Sequence, residues 1–273
     1  MPFVHAVGKV VHTLPEGETV CGVTLLAGEI YLLRDKDRCQ VEVYDIDNYI
    51  LQGCHTLPKA SSFDDMTSCD HWRCIYIAYG GDHCIRRLDA KLASLTRWDV
   101  HARPFGLSVN AASNVLVACR DVRKIKEFSS RGELLREITL LIKPWHTIEI
   151  PVTREFIVCH GRRDDEVLGV CKISADSPRV VQSHGGKPGS GIGQYSSPRH
   201  LVVDDDGSVI VADVENKRVT LLSPTMEYVR EIVSRDQIKW EPKRLYLEKG
   251  RRLLYVADNQ FSVSSGRIVV FRI

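Results

Sequence analysis

Pro198-Arg199-His200-Leu201-Val202-Val203-Asp204-Asp205-Asp206-Gly207-Ser208-Val209-Ile210-Val211-Ala212-Asp213 reads as two strands joined by a tight turn. The β-branched residues favour a pleated, half-buried backbone, and Asp205-Asp206-Gly207 supplies the turn residues between them. Past the polar Glu215-Asn216, the segment Lys217-Arg218-Val219-Thr220-Leu221-Leu222 alternates with the two-residue period of a third strand. An apolar run closed by a small residue and a polar turn is thus the unit to search for.

The run recurs as Ile30-Tyr31-Leu32-Leu33, Tyr76-Ile77-Ala78-Tyr79, Leu116-Val117-Ala118-Cys119, Ile157-Val158-Cys159-His160 and Tyr255-Val256-Ala257-Asp258. Aligned on Leu33, Ala78, Ala118, Cys159, Ala212 and Ala257, the copies lie 45, 40, 41, 53 and 45 residues apart. Such a period marks a repeat architecture. Each copy holds an inner strand before the run, as in Pro104–Val109 and His146–Ile150, and an outer strand such as Glu133–Ile138. A four-stranded antiparallel unit cannot bury both faces alone, so the copies must stack around an axis. The expected fold is all-β: one six-bladed propeller domain over residues 1–273. The last copy has room only for Arg267–Ile273 after its run, and residues 5–14 can supply the missing outer strand and cover an open edge.

Residues 189–219 carry a glycine-rich turn, Gly193-Gln194-Tyr195, Pro198-Arg199-His200, Val203-Asp204 with Gly207, Val211-Ala212-Asp213 and Asn216-Lys217-Arg218-Val219. In that order the stretch resembles an NHL repeat, and Tyr255–Asn259 is a weaker second match. Elsewhere the aspartate of the pattern is replaced by Arg34, Tyr79, Cys119 and His160. The resemblance implies a propeller that recognises RNA or protein, often as part of a tripartite-motif ubiquitin ligase. No RING, B-box or coiled-coil segment stands in this sequence.

Composition narrows the classes further. The apolar runs fall well short of a bilayer span, the first residues do not form a secretory signal, and a cytoplasmic monomer is expected. The nine cysteines are irregularly spaced without a C-x-x-C pair, so free thiols are expected rather than a disulfide framework or zinc cage. Cys159, in the slot of four alanines, reads as a small buried hydrophobe. The glycine-rich 185–193 stretch lacks the Lys-Ser/Thr and following helix of a phosphate loop and reads as an inter-blade turn. No cofactor and no metal are expected.

The net charge is only +2, yet the two rims of loops differ. On the rim of turns after the apolar runs fall Arg120, Arg123, Lys124, Lys143, Trp145, His146, Arg162, Arg199, His200, Trp240, Lys243 and Arg244, while Asp70 and Asp204–Asp206 fall on the other. Cations follow phosphates and flat rings stack on bases, so this rim is the expected surface for single-stranded or stem-loop RNA, or for a protein partner. A metal-dependent hydrolase or lyase is the competing class. Its ligand candidates are Glu149, His146, His200 and Asp258, although the inner strands show no repeated ligand position.

Overall fold

The computed structural model describes residues 8–35, 40–58, 60–89, 95–162, 165 and 167–273. The chain runs through β1 (Lys9–Thr13), β2 (Gly17–Leu26), β3 (Glu29–Asp35), β4 (Gln40–Asp45) and β5 (Leu51–Thr56). β6 (Phe63–Cys69), β7 (Cys74–Tyr79), β8 (Cys84–Asp89) and β9 (Leu95–Asp99) follow. The middle of the chain holds β10 (Gly106–Val109), β11 (Val115–Cys119), β12 (Lys124–Phe128), β13 (Leu134–Thr139), β14 (Pro144–Glu149), β15 (Phe156–His160), β16 (Leu168–Ile173) and β17 (Val180–Gly186). Last come β18 (Pro198–Val203), β19 (Val209–Asp213), β20 (Arg218–Leu222), β21 (Tyr228–Val233), β22 (Glu241–Glu248), β23 (Leu253–Gln260) and β24 (Ser265–Arg272).

Four antiparallel sheets of four strands stand apart: β6–β9, β10–β13, β14–β17 and β18–β21. The other eight strands form one sheet in the order β22-β23-β24-β2-β3-β4-β5, with β1 paired to β24. Strand pairing thus sets apart four four-stranded units and joins the first five and last three strands into one eight-stranded sheet. The join is short, Gly17↔Gly266 and Glu18↔Ser265, and two side chains reinforce it. Asn259 exchanges hydrogen bonds of 2.9 Å with the Val20 N–H and C=O. Buried Arg34 donates to the carbonyls of Glu18, Gly266 and Pro15. Residues 5–7 of the expected N-terminal strand lie outside the described residues; Lys9–Thr13 lies along β24 from Arg272 to Val269.

Apolar residues of consecutive sheets meet face to face. Leu254 and Val256 of β23 pack with Ile210 and Ala212 of β19, and Ile157 and Cys159 of β15 pack with Leu201 and Val211. Burying each large aliphatic side chain contributes about 1.5–3 kcal/mol, which a lone two-sided sheet would forfeit. The inner strands touch in the order β2, β6, β10, β14, β18, β22, and β22 returns to β2. This is a propeller arrangement about a central axis.

A register shift interrupts the inner strands at Val20/Gly22, Phe63/Asp65, Pro144/His146, Pro198/His200 and Pro242/Arg244. Such a bulge re-aims the next side chain. In each of these five strands that residue lies opposite the residue used to align the repeats, Gly22 with Leu33, Asp65 with Ala78, His146 with Cys159, His200 with Ala212 and Arg244 with Ala257, and in β10, which has no shift, Gly106 lies opposite Ala118. A Cβ on Gly106 would come within 2.4 Å of the Trp145 carbonyl oxygen and 2.9 Å of the His146 Cα. Backbone cannot rotate out of the way, so Gly106→Ala is expected to cost about 3 kcal/mol by overpacking. Urea denaturation checks this, and an unchanged midpoint would show that β10 and β14 can separate without penalty.

Candidate functional site: an axial polar cluster, a cavity and a basic rim

At the repeated position, Asp65, His146, His200 and Arg244 meet, all buried. Arg244 Nε lies 2.9 Å from Asp65 Oδ1, and its Nη groups donate to the carbonyls of Asp64, Phe105 and Lys243. The Leu107 N–H donates to Asp65 Oδ2 at 2.8 Å, and His200 Nε2 lies 3.7 Å from the same oxygen. His146 and His200 stack with ring centroids 3.9 Å apart. One guanidinium thus ties β22 to β6 and β10 across the axis.

Backbone partners assign both imidazole tautomers. The Leu245 N–H points at His200 Nδ1 (3.4 Å), which must accept, so the His200 proton sits on Nε2 facing Asp65. His146 Nε2 faces the Leu107 carbonyl at 3.0 Å and donates to it, which leaves a buried lone pair on Nδ1 with no partner. Burial, then the neighbouring His200, pushes His146 down to about 3, and burial also lowers His200. Burial alone would raise Asp65; Arg244 and the His200 N–H overcome it and hold this carboxyl well below the usual carboxylate range.

Asp65, His146 and His200 place one ligand-type atom each within 4.8 Å of one another. The donors do not fit a divalent ion. His200 Nε2 carries a proton where a metal needs a lone pair, and Asp65 already neutralises Arg244. The other expected ligands lie elsewhere. Glu149 is held by Arg136 (3.1 Å) and Arg154 (3.0 Å). Asp258 accepts the N–H groups of Lys239 and Trp240 and pairs with Arg267 at the opposite end of the inner strand. The four candidate ligands of the competing class thus divide into two carboxylates bound within the chain and two histidines of an axial brace. Asp65 escaped the residue reading because its signal is positional: it emerges only when each residue is paired with the small residue across the hairpin.

Asp213, the aspartate of the repeat motif, accepts the Ser196 and Ser197 N–H groups through Oδ1 and binds Asn216 and Arg218 through Oδ2. Arg218 in turn donates to the carbonyls of Ser190, Gly191 and Gln194. The glycine-rich loop therefore turns carbonyls onto a cation, the reverse of a phosphate cradle. Cys159 is fully buried and its thiol is pushed up by burial, and the eight described cysteines are free.

Several of the expected rim residues do converge. The Trp145 ring is flanked by the guanidiniums of Arg120 (4.5 Å) and Arg199 (4.9 Å), meets Phe105 edge-on at 5.3 Å and donates its Nε1–H to Gly161. Arg120 and Lys143 each lie 3.7 Å from Asp165, which also accepts the Arg162 N–H. Lys243 stands beside Arg199 and Arg244, and burial lowers its ammonium. Arg123 is exposed in the β11–β12 turn, whereas Lys124 is paired with Glu137 at 2.6 Å. Trp240 lies apart with the Lys239 ammonium 4.3 Å from its ring. Three expected contacts are corrected: His146, His200 and Arg244 are buried at the axis, because the bulge turns them inward.

Beyond the axial cluster, toward the turns between first and second strands, lies a cavity of 690 Å³. His146 and His200 line its inner end, Met66, Leu107 and Leu245 its walls, and Asp70, Glu149 and Asp204–Asp206 its acidic mouth. Among the described residues no helix is long and apolar enough to cross a membrane.

These features define a β-propeller, and residues 195–220 match the model of the NHL repeat. No curated protein matches the chain. Among solved structures it is similar to virginiamycin B lyase from Staphylococcus aureus, at 11% identity and TM-score 0.63, covering 95% of this chain and 88% of that one. A catalytically inactive variant of that lyase with quinupristin has TM-score 0.65 at 11% identity over the same shares. A protein of unknown function from Bacteroides caccae has TM-score 0.63 at 15% identity, covering 82% of this chain and 85% of that one.

Proposed function

We propose that the chain is a non-catalytic, six-bladed recognition propeller that docks a protein partner on the rim around Trp145. The blade count is supported by the closed order of inner strands and by apolar seams between consecutive units, including the seam of Val20, Val23 and Leu32 with Tyr255, Ala257 and Val270 inside the eight-stranded sheet. One observation carries the function: the Trp145 ring is held between Arg120 and Arg199, and Arg120 shares Asp165 with Lys143. Arginine and tryptophan anchors held in place lose little entropy on binding, and a rim of both charge signs suits a protein surface better than a run of phosphates.

The test is affinity capture from a cell extract, comparing wild type with Arg123→Glu/Arg162→Glu, which alters two exposed positions. The wild type is expected to retain a protein that the variant loses, unaffected by ribonuclease. Equal retention by both overturns the docking surface. Binding of a mixed-sequence single-stranded RNA that weakens steeply with salt, and is lost in the variant, would replace protein by RNA as the partner.

A further inference from the structure

Cys69 and Cys74 stand directly opposite each other where β6 turns into β7. Among the described residues no other two cysteines are strand partners. Opposed residues of an antiparallel pair project from the same side of the sheet, and both cysteines belong to one apolar cluster with Tyr76, Val115 and Phe128. Such partners have Cα atoms about 4.5–5.5 Å apart, inside the roughly 4.4–6.8 Å range of a disulfide. Both residues are buried, yet the turn above them, Asp70–Arg73, is exposed at all four positions. A 3.2 Å bond from the Arg73 N–H to the Asp70 carbonyl closes that turn, with Arg73 at φ 45°, an uncommon setting for a residue other than glycine. Opening of the turn is a local event that admits a small oxidant. Burial raises the Cys74 thiol and keeps it protonated while the turn is closed.

We propose that Cys69 and Cys74 are a redox pair, forming a reversible disulfide that staples the β6–β7 hairpin when the protein meets hydrogen peroxide. One thiolate attacks a peroxide oxygen: an S–O bond forms, the O–O bond breaks and a water leaves. The second thiolate attacks the sulfenic sulfur, so that the S–S bond forms, the S–O bond breaks and a second water leaves, the waters having taken up both thiol protons. Two electrons pass from the sulfurs to the peroxide, and a dithiol returns them. The hairpin lies on the cavity side, away from the Trp145 rim, so the pair stands or falls independently of the docking surface.

The test treats folded wild type with hydrogen peroxide, removes the peroxide, alkylates in guanidinium with iodoacetamide and digests with trypsin, which cuts after Arg73 between the two cysteines. Peptides 60–73 and 74–86 are expected to remain joined through Cys69 and Cys74, with both alkylation sites lost, and dithiothreitol before alkylation should part them. Cys69→Ser and Cys74→Ser should each abolish the joined species, whereas Cys84→Ser, which removes the other cysteine of 74–86, should leave it. Exposed Cys54 reports that the peroxide has acted. Cys54 oxidised while Cys69 and Cys74 are both still alkylated overturns the proposal. So does a bridge from Cys69 to Cys84, or one that forms only in the unfolded chain. The wild-type peptides decide the matter even where a variant fails to fold.

Discussion

Asp65→Ala is expected to cost about 3–5 kcal/mol of folding stability, because it strands the Arg244 guanidinium in the interior without its counter-charge. Arg244→Met should cost a similar amount for the converse reason, and it also removes donors from the Asp64 and Phe105 carbonyls. The double variant Asp65→Leu/Arg244→Met is expected to recover a large part of the loss, since buried ion pairs replaced by apolar groups are often near neutral. Urea denaturation of the three variants and wild type completes a double-mutant cycle. Single variants that cost under about 1 kcal/mol would mean that water reaches the axis and screens the pair.

A fall in pH should destabilise the fold more than surface charge would explain. His146 is held down to about 3 and His200 is also lowered, whereas an unfolded histidine titrates near its usual value of about 6.5. Between those values the unfolded chain binds more protons than the folded one, so stability rises with pH and is lost as pH falls below about 6.5. At about 1.4 kcal/mol per pH unit for each group, His146 contributes a loss of about 2 kcal/mol between pH 6.5 and 5. His160, lowered to about 4 by burial, adds in the same direction. Asp213, Glu231 and Glu241, whose carboxyls burial raises, oppose it and flatten the curve. Asp65 stays ionised throughout this range. Denaturation midpoints at pH 7, 6 and 5 check the slope, and His146→Leu should remove one histidine's share. A wild-type midpoint constant over that range would show that the imidazoles protonate in place.

Both expectations rest on a position that was half legible. The alignment on Ala78, Ala118, Cys159, Ala212 and Ala257 contains it, because each axial residue sits directly across the hairpin from one of these. Reading residues by type instead picked His146 and His200, which do meet there, together with Glu149 and Asp258, which lie at opposite ends of their strands. The rim fared differently. Arg120, Lys143, Trp145, Arg162 and Arg199 were legible because turn positions at equivalent points of successive repeats are brought to one face. That Asp165 and the ring itself would absorb their charge was not, since it depends on side-chain directions between residues 22 to 54 positions apart.

The repeated apolar run and its two-residue alternation determined by themselves that the chain is all-β and stacks four-stranded units, because each run must bury both faces and only a neighbouring copy offers the matching surface. Tertiary structure decided the rest. Arg34 and Asn259 join two units into one sheet, and the bulges aim Asp65, His146, His200 and Arg244 at a common axis. Burial there sets which of those groups carry charge. Those outcomes depend on distances between residues far apart in the chain, and periodicity along the chain carries no such distances.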